Sequence, residues 1–86
     1  MPDFRAEFET AAKAAQALPK RPDNSTLLKL YALYKQATTG DVGGSRPGFT
    51  DLVGRSKYDA WAQLKGTSHE QAMRDYVALV ERLKSS

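Results

Sequence analysis

The stretch at residues 30–38 constrains the fold more than any other part of the sequence. At about 100° per residue, the apolar side chains of a helix here cover an arc of about 220°, whereas packing on one neighbour needs a stripe of about 100°. The arc is made of Leu27, Leu28, Leu30, Tyr31, Leu33, Tyr34 and Ala37. The sequence therefore predicts a helix with two apolar surfaces. Its left-over surface carries Tyr31, Tyr34 and Lys35, a combination suited to a flat, aromatic, anionic ligand with an apolar extension.

The length of the chain limits how such a ligand is held. A chain of 86 residues is predicted to form one domain, residues 1–86, and at this size only about 60% of the surface leaves water on folding. A groove is therefore expected rather than a deep enclosed site. The sequence contains neither a long apolar run nor a start typical of a secretory signal. We expect a cytoplasmic, monomeric protein without stable membrane insertion.

Composition argues against catalytic, metal and nucleic-acid sites. Cysteine is absent, and His69 is the only histidine, so a zinc site is not predicted and His69 is expected to be a solvated residue at a helix end. Gly43 and Gly44 lack the lysine and spacing of a phosphate loop. No pair of carboxylates suggests acid–base chemistry, and a net charge of +3 is far from a dense basic patch. We therefore predict no enzyme, no cofactor and no metal, and an anionic ligand recognised by a few placed cations.

Four helices are predicted from periodicity and capping signals. The first begins after Asp3 as N-cap and ends before the prolines at residues 19 and 22, and the second runs from a cap at residues 23–25 to about Thr38. The third is capped by Thr50 or Asp51, carries an apolar face that includes Val53 and Trp61, and ends near residues 65–66. The fourth begins with a capping box formed by Ser68 and Gln71 and ends before the polar tail.

The connection at residues 41–50 decides how these helices are arranged. It is rich in glycine and other turn formers, and it is longer than the usual link between two helices. At about 3.3 Å per residue it spans the length of a neighbouring helix, so the second and third helices are able to lie parallel. The predicted fold is all-α: a four-helix bundle with one long crossover between helices 2 and 3.

Two interpretations of the aromatic and basic residues are open at this point. Tyr31, Tyr34 and Tyr76 are explained as core tyrosines with hydroxyls at the surface, and Lys35 and Lys57 as ordinary surface or snorkelling lysines. Trp61 is explained as a core residue. Taken together, however, two lysines and three tyrosines on facing helices are a signal for phosphate and ring recognition.

Several blocks of sequence resemble the acyl-CoA-binding protein family, in order and over residues 8–83. They read YALYKQATTGD at residues 31–41, RPG at 46–48, KYDAW at 57–61 and LKGTS at 64–68, followed by Ala72, Met73 and Tyr76. The resemblance implies an up-down-down-up bundle. It also implies non-covalent binding, buffering and intracellular transport of medium- and long-chain fatty acyl-CoA, with no chemistry on the ligand.

The resemblance also assigns site residues by position. Tyr31, Lys35 and Lys57 correspond to the group that meets the ribose 3′-phosphate. Tyr34 corresponds to the residue that packs on adenine, and Tyr76 to an aromatic position of the last helix. The acyl groove of the family corresponds to Phe8, Ala12, Leu27 and Leu28.

Two positions depart from the family pattern. Gln16 stands where many members have lysine, and Tyr58 replaces the usual first tryptophan of the third-helix motif, a change expected to affect packing more than binding.

The alternative to acyl-CoA binding is a small helical module that binds protein or nucleic acid through the same basic and aromatic surface. An enzyme acting on acyl thioesters requires a nucleophile or base that the sequence does not suggest.

Overall fold

The computed structural model describes residues 4–85 and contains four helices. They are α1 (Phe4–Ala15), α2 (Asn24–Thr38), α3 (Leu52–Ala62) and α4 (His69–Lys84). The predicted all-α fold is confirmed. α1 and α3 each end a few residues earlier than predicted and continue as turns. The predicted cap Asp3 lies outside the described residues.

Side-chain caps begin three of the helices. Asp23 accepts a hydrogen bond from the Thr26 amide at 2.8 Å, Asp51 accepts one from Gly54 at 2.9 Å, and Ser68 accepts one from Gln71 at 3.0 Å. Each bond satisfies an amide that lacks a partner within its helix. The capping box is only half formed: Ser68 accepts from the Gln71 amide, but the Gln71 side chain donates to Asp75 at 2.9 Å and does not accept from the Ser68 amide.

The helices pack as a row in which α4 lies between α1 and α2, while α3 packs on α2 alone. The contacts between α2 and α3 show that the two helices run parallel. Lys57 lies over the ring of Tyr31, and one turn later on both helices Lys35 lies over the ring of Trp61. The chain of residues 4–85 measures 39 × 31 × 15 Å. A slab this thin leaves open clefts between helices rather than an enclosed cavity.

The core occupies the contact of α4 with α1 and α2, and α3 contributes no buried residue to it. Its buried members are Phe8, Ala11, Leu30, Leu33, Ala37, Ala72, Tyr76, Leu79 and Val80. The predicted apolar face of α3 is therefore only partly correct. Val53 keeps 68% of its surface exposed, because α3 has a single neighbour and Val53 lies at the rim of that contact.

The crossover at residues 41–50 is tied to α3 at two points. The Arg46 guanidinium donates twice to the Asp59 carboxylate, at 2.8 and 2.7 Å, and the Tyr58 hydroxyl donates to the Gly44 carbonyl at 3.2 Å. Tyr58, the departure from the family pattern, thus holds the crossover against the third helix. Both contacts fix the path of the long connection that permits α2 and α3 to be parallel.

The amide of Gln36 joins the C-terminal ends of α2 and α3. Gln36 is 0% exposed; its Nε2 donates to Asp41 Oδ1 at 2.9 Å and to the Thr67 carbonyl at 2.8 Å, and its Oε1 accepts from Trp61 Nε1 at 3.1 Å. Asp41 also accepts from the Gly66 amide at 2.8 Å. We call these residues the Gln36 network. Within residues 4–85, no buried side-chain nitrogen or oxygen is left without a partner.

Replacement of Asp41 by asparagine is expected to flatten the loss of stability in acid. Hydrogen bonds from the Gly66 amide and then the Gln36 side chain lower the pKa of Asp41 below its ordinary 3.8 in the folded chain. The ionised carboxylate therefore stabilises the fold fully above about pH 4, and this is lost as pH falls through the folded-state pKa, because the unfolded chain binds the proton first. Urea unfolding at a series of pH values measures the difference.

Asparagine is the replacement of choice, because it keeps an acceptor oxygen for Gln36 and Gly66 and exchanges the ionisable carboxylate for a neutral amide of similar shape. Other carboxylates titrate equally in both proteins, so the difference between the two curves isolates Asp41. Parallel curves below about pH 4 would contradict this assignment.

Candidate functional site

Three aromatic rings meet where α1, α2 and α4 converge. Phe8 stacks on Tyr34 with centroids 5.4 Å apart, Phe8 meets Tyr76 edge-on at 5.1 Å, and Tyr34 lies 6.1 Å from Tyr76. We call these three residues the aromatic trio. Tyr34 is 43% exposed although Phe8 covers one face of its ring. Part of an aromatic ring is therefore presented to solvent on a rigid support.

Tyr76 is the buried member of the aromatic trio, with only 5% of its surface exposed. Burial, and to a smaller degree the neighbouring Tyr34, raises the pKa of the Tyr76 hydroxyl above its ordinary value. The phenol therefore stays neutral and keeps its proton at physiological pH. The structure places Tyr76 beneath Tyr34 and Phe8 rather than at an open surface.

A cleft of about 520 Å³ opens beside Tyr34. We call it the Tyr34 cleft, and its lining residues are Arg5, Phe8, Glu9, Tyr34, Ala37, Thr38, His69 and Met73. His69 is exposed at the start of α4, as predicted, but it is more than a solvated residue, because its Nδ1 lies 2.8 Å from the Ala37 carbonyl. That hydrogen bond joins the beginning of α4 to the last turn of α2.

Two lysine ammonium groups lie over aromatic rings at the contact of α2 with α3. Lys57 Nζ is 5.2 Å from the centroid of the Tyr31 ring, and Lys35 Nζ is 5.1 Å from that of Trp61. Tyr31 and Lys35 are four residues apart, as are Lys57 and Trp61, so the two pairs lie one helical turn apart. The parallel helices thereby bring two cations and a phenol to one edge of the molecule.

A second cleft, of about 410 Å³, lies between α2 and α3. We call it the α2–α3 cleft, and its lining residues are Arg21, Asn24, Leu27, Leu28, Tyr31, Val53, Ser56 and Lys57. Apolar walls thus lie beside a phenol and an ammonium. Val53 was predicted to lie on a packed helix face, and Arg21 was not predicted as a site residue. The available signals were an apolar residue one turn before Lys57 and a cation just before α2.

Six of the nine predicted site residues line one of these two clefts, and Lys35, Tyr76 and Ala12 line neither. Tyr31, Lys57, Leu27 and Leu28 line the α2–α3 cleft, whereas Phe8 and Tyr34 line the Tyr34 cleft. Four residues predicted to form one acyl groove are therefore divided. Ala12 and Leu27 both pack at the edge of the core, where α1 ends and α2 begins. Tyr31 on the wall of the α2–α3 cleft and Tyr34 on the wall of the Tyr34 cleft lie one turn apart on α2.

The site offers positive charge, phenols and apolar walls, which together suit reversible binding of an amphipathic anion. Across residues 4–85, no group of three or more histidine, cysteine or acidic side chains is arranged to hold a metal ion. In the same part of the chain, every helix is too short or too polar to span a bilayer.

Comparison with known proteins identifies similar chains. The sequence profile of the family described as Acyl CoA binding protein matches residues 5–80. The Saccharomyces cerevisiae acyl-CoA-binding protein is 50% identical over 76 residues, covering 88% of this chain and 87% of the yeast protein. The acyl-CoA-binding protein homolog of Drosophila melanogaster is 44% identical over 77 residues, covering 90% of each chain.

Solved structures agree with these similarities. The crystal structure of Oryza sativa acyl-CoA-binding protein 2 superposes with a TM-score of 0.91 at 45% identity, covering 95% of this chain and 89% of the rice chain. The solution structure of the yeast acyl coenzyme A binding protein gives a TM-score of 0.72 at 49% identity, covering 91% of each chain.

Proposed function

Because this chain belongs to the acyl-CoA-binding protein family, we propose that the Tyr34 cleft, the α2–α3 cleft and the edge between them form one binding site for a fatty acyl-CoA ester. The protein binds and transports acyl-CoA, and it is not an enzyme. The observation that carries the site assignment is the position of Lys57 over Tyr31, next to the apolar walls of Leu27 and Leu28. A cation and a lipid-compatible surface adjoin there, as the two ends of this ligand require.

The proposed position of the ribose 3′-phosphate is the edge formed by Tyr31, Lys35 and Lys57. Lysine serves a phosphate as a compact charge with three donors, and a phenol adds a directed hydrogen bond. Both ammonium groups are held against rings, at 5.1 and 5.2 Å from the centroids. Because this phosphate distinguishes coenzyme A from common nucleotides, the pair of lysines supplies selectivity.

The proposed position of adenine is the open part of the Tyr34 ring. Stacking of a base on an aromatic side chain contributes on the order of 1–3 kcal/mol. Phe8 supports the ring from one side at 5.4 Å, and Tyr76 lies behind both. In this arrangement Tyr76 belongs to the head-group site by fixing Tyr34, with its neutral hydroxyl available as a donor.

The proposed path of the acyl chain crosses the N-terminal half of α2. Leu27, Leu28 and Val53 provide apolar walls on the α3 side, and Ala12 and Phe8 lie on the α1 side. The small side chain of Ala12 allows close approach of a ligand chain. Burial of methylenes is the largest available contribution, at about 0.8 kcal/mol each before ordering costs.

The remaining proposals concern the protein as a whole. We propose that residues 1–86 act as one acyl-CoA-binding domain, as a monomer in the cytoplasm. A net charge of +3 without a dense basic patch supports the proposal that nucleic acid is not a partner. The alternative of a protein- or nucleic-acid-binding module is not supported by the family assignment.

Affinity is expected to rise with acyl length until the groove is filled. Each added pair of methylenes contributes at most about 1.6 kcal/mol, or roughly 15-fold, and free coenzyme A is expected to bind far more weakly. Isothermal titration with saturated esters from octanoyl- to octadecanoyl-CoA measures this. A flat response along the series would contradict the acyl-groove assignment.

Lys35→Ala and Lys57→Ala are each expected to weaken binding of acyl-CoA by about tenfold, because each removes a charge-assisted hydrogen bond to phosphate. The affinity of these variants for the 3′-dephospho analogue is expected to fall much less. Titration of each variant with both ligands measures the ratio of dissociation constants. Lys65→Ala is the matched control, because Lys65 is an exposed lysine in the turn after α3. Equal losses for both ligands would place the lysines away from this phosphate.

Val53→Asp is expected to weaken the binding of hexadecanoyl-CoA more than that of octanoyl-CoA, since it places a carboxylate on the wall of the α2–α3 cleft. Ala78→Asp is the matched control, because it adds the same charge at an exposed helical position of α4. Dissociation constants for both esters measure the effect. If the Val53 variant retained the wild-type dependence on chain length, the chain would not run along this wall.

A further inference from the structure

The indole ring of Trp61 is fixed in place by the Gln36 network. Its Nε1 donates to the Gly40 carbonyl at 2.7 Å and to Gln36 Oε1 at 3.1 Å. An indole N–H only donates, so the Gln36 oxygen must face it, and the Gln36 nitrogen must face the acceptors Asp41 and Thr67. The network therefore has a single consistent orientation. Because Gln36 is fully buried, the side chain that anchors Trp61 has no competing water partner.

Lys35 lies over the face of the anchored Trp61 ring. Its ammonium lies 5.1 Å from the centroid of the Trp61 ring, within the range of a cation–π interaction. Lys35 directly precedes Gln36 on α2, so the lysine and the amide that anchors its aromatic partner belong to one turn of one helix. A ring fixed at its N–H edge thus presents its face to an otherwise flexible side chain.

We propose that Trp61 is a positioning residue for Lys35, and that the anchored indole holds the ammonium in place for the 3′-phosphate. This rests on the proposed function, which assigns Lys35 to that phosphate. A lysine side chain has many rotamers, and restricting them before the ligand arrives reduces the ordering cost of binding. The ring face attracts the ammonium without using all three N–H donors, so donors are left for phosphate oxygens.

This role differs from the core role predicted for Trp61. A purely structural tryptophan, when replaced, weakens every ligand by a similar factor through the fold. A positioning residue acts on the one ligand group that Lys35 meets. The discriminating quantity is therefore phosphate selectivity, defined as the dissociation constant of the 3′-dephospho ester divided by that of the complete acyl-CoA ester.

The experiment is a double-mutant cycle with Trp61→Leu, Lys35→Met and the double variant, each titrated with decanoyl-CoA and its 3′-dephospho analogue. Trp61→Leu is expected to lower phosphate selectivity about two- to fivefold and to cause no further loss when Lys35→Met is already present. If selectivity is unchanged by Trp61→Leu, or falls equally with and without Lys35, the positioning role is overturned.

Trp61→Phe provides the conservative comparison and a second route if the leucine variant does not fold. Both replacements lose the N–H hydrogen bonds and so share that cost, but phenylalanine keeps an aromatic face. Selectivity is expected to follow the order tryptophan, phenylalanine, leucine. Equal selectivity for the two variants would overturn the role of the ring face.

The free protein offers an independent measurement. Protons held over an indole face are shielded, so the side-chain methylene resonances of Lys35 are expected upfield of those of Lys65 in the NMR spectrum and should return to ordinary values in Trp61→Leu. Ordinary values in the wild type would overturn the inference while leaving the phosphate assignment intact. Conversely, if Lys35→Met alone leaves phosphate selectivity unchanged, the assignment of Lys35 in the proposed function fails, and the inference fails with it.

Discussion

The parallel arrangement of α2 and α3 is the constraint on which the proposed binding site depends. It requires a connection long enough to return along a helix, and the contacts of Arg46 with Asp59 and of Tyr58 with Gly44 hold that connection to α3. It also requires a fixed register, which the Gln36 network provides at the C-terminal ends of both helices. With the register set there, Tyr31 and Lys57 meet one turn earlier, beside the α2–α3 cleft. An antiparallel pair would bring other residues together.

The row of helices explains why the site is open. Since α4 takes one apolar surface of α2 and α3 takes the other, most of the wide apolar arc is used in packing. The surplus available to a ligand is therefore smaller than the arc alone indicates, and it lies at the rims of these contacts, at Tyr34 and Val53. Rims are partly solvated, so the gain from each buried methylene falls below the about 0.8 kcal/mol of full burial.

Features set by local rules were predictable from the sequence. The helices, the cap at Ser68, the caps of α2 within residues 23–25 and of α3 at residue 50 or 51, and the crossover follow from periodicity, capping and loop length. Features set by the pairing of distant residues were not. Trp61 shares its N–H between Gln36 and Gly40, 25 and 21 residues away, and no local pattern indicates that partnership. The separation of the predicted acyl-groove residues, with Phe8 in one cleft and Leu27 and Leu28 in the other, also depends on which helices are neighbours, and the resemblance supplied positions without distances.

The chemistry of the proposed head-group site is consistent with a carrier. Individual exposed cations bind weakly because water and salt screen them, so selectivity for a phosphate comes from placing several together with a phenol. The lysine ammonium binds phosphate as a compact charge, whereas the arginine guanidinium donates two parallel hydrogen bonds to it. A carrier must also release its ligand, and in the proposed site the cations rest on rings and the apolar walls lie at the rims of helix contacts, where water reaches them. Partial solvation of these rims lowers the gain from burying a ligand and is therefore expected to favour release.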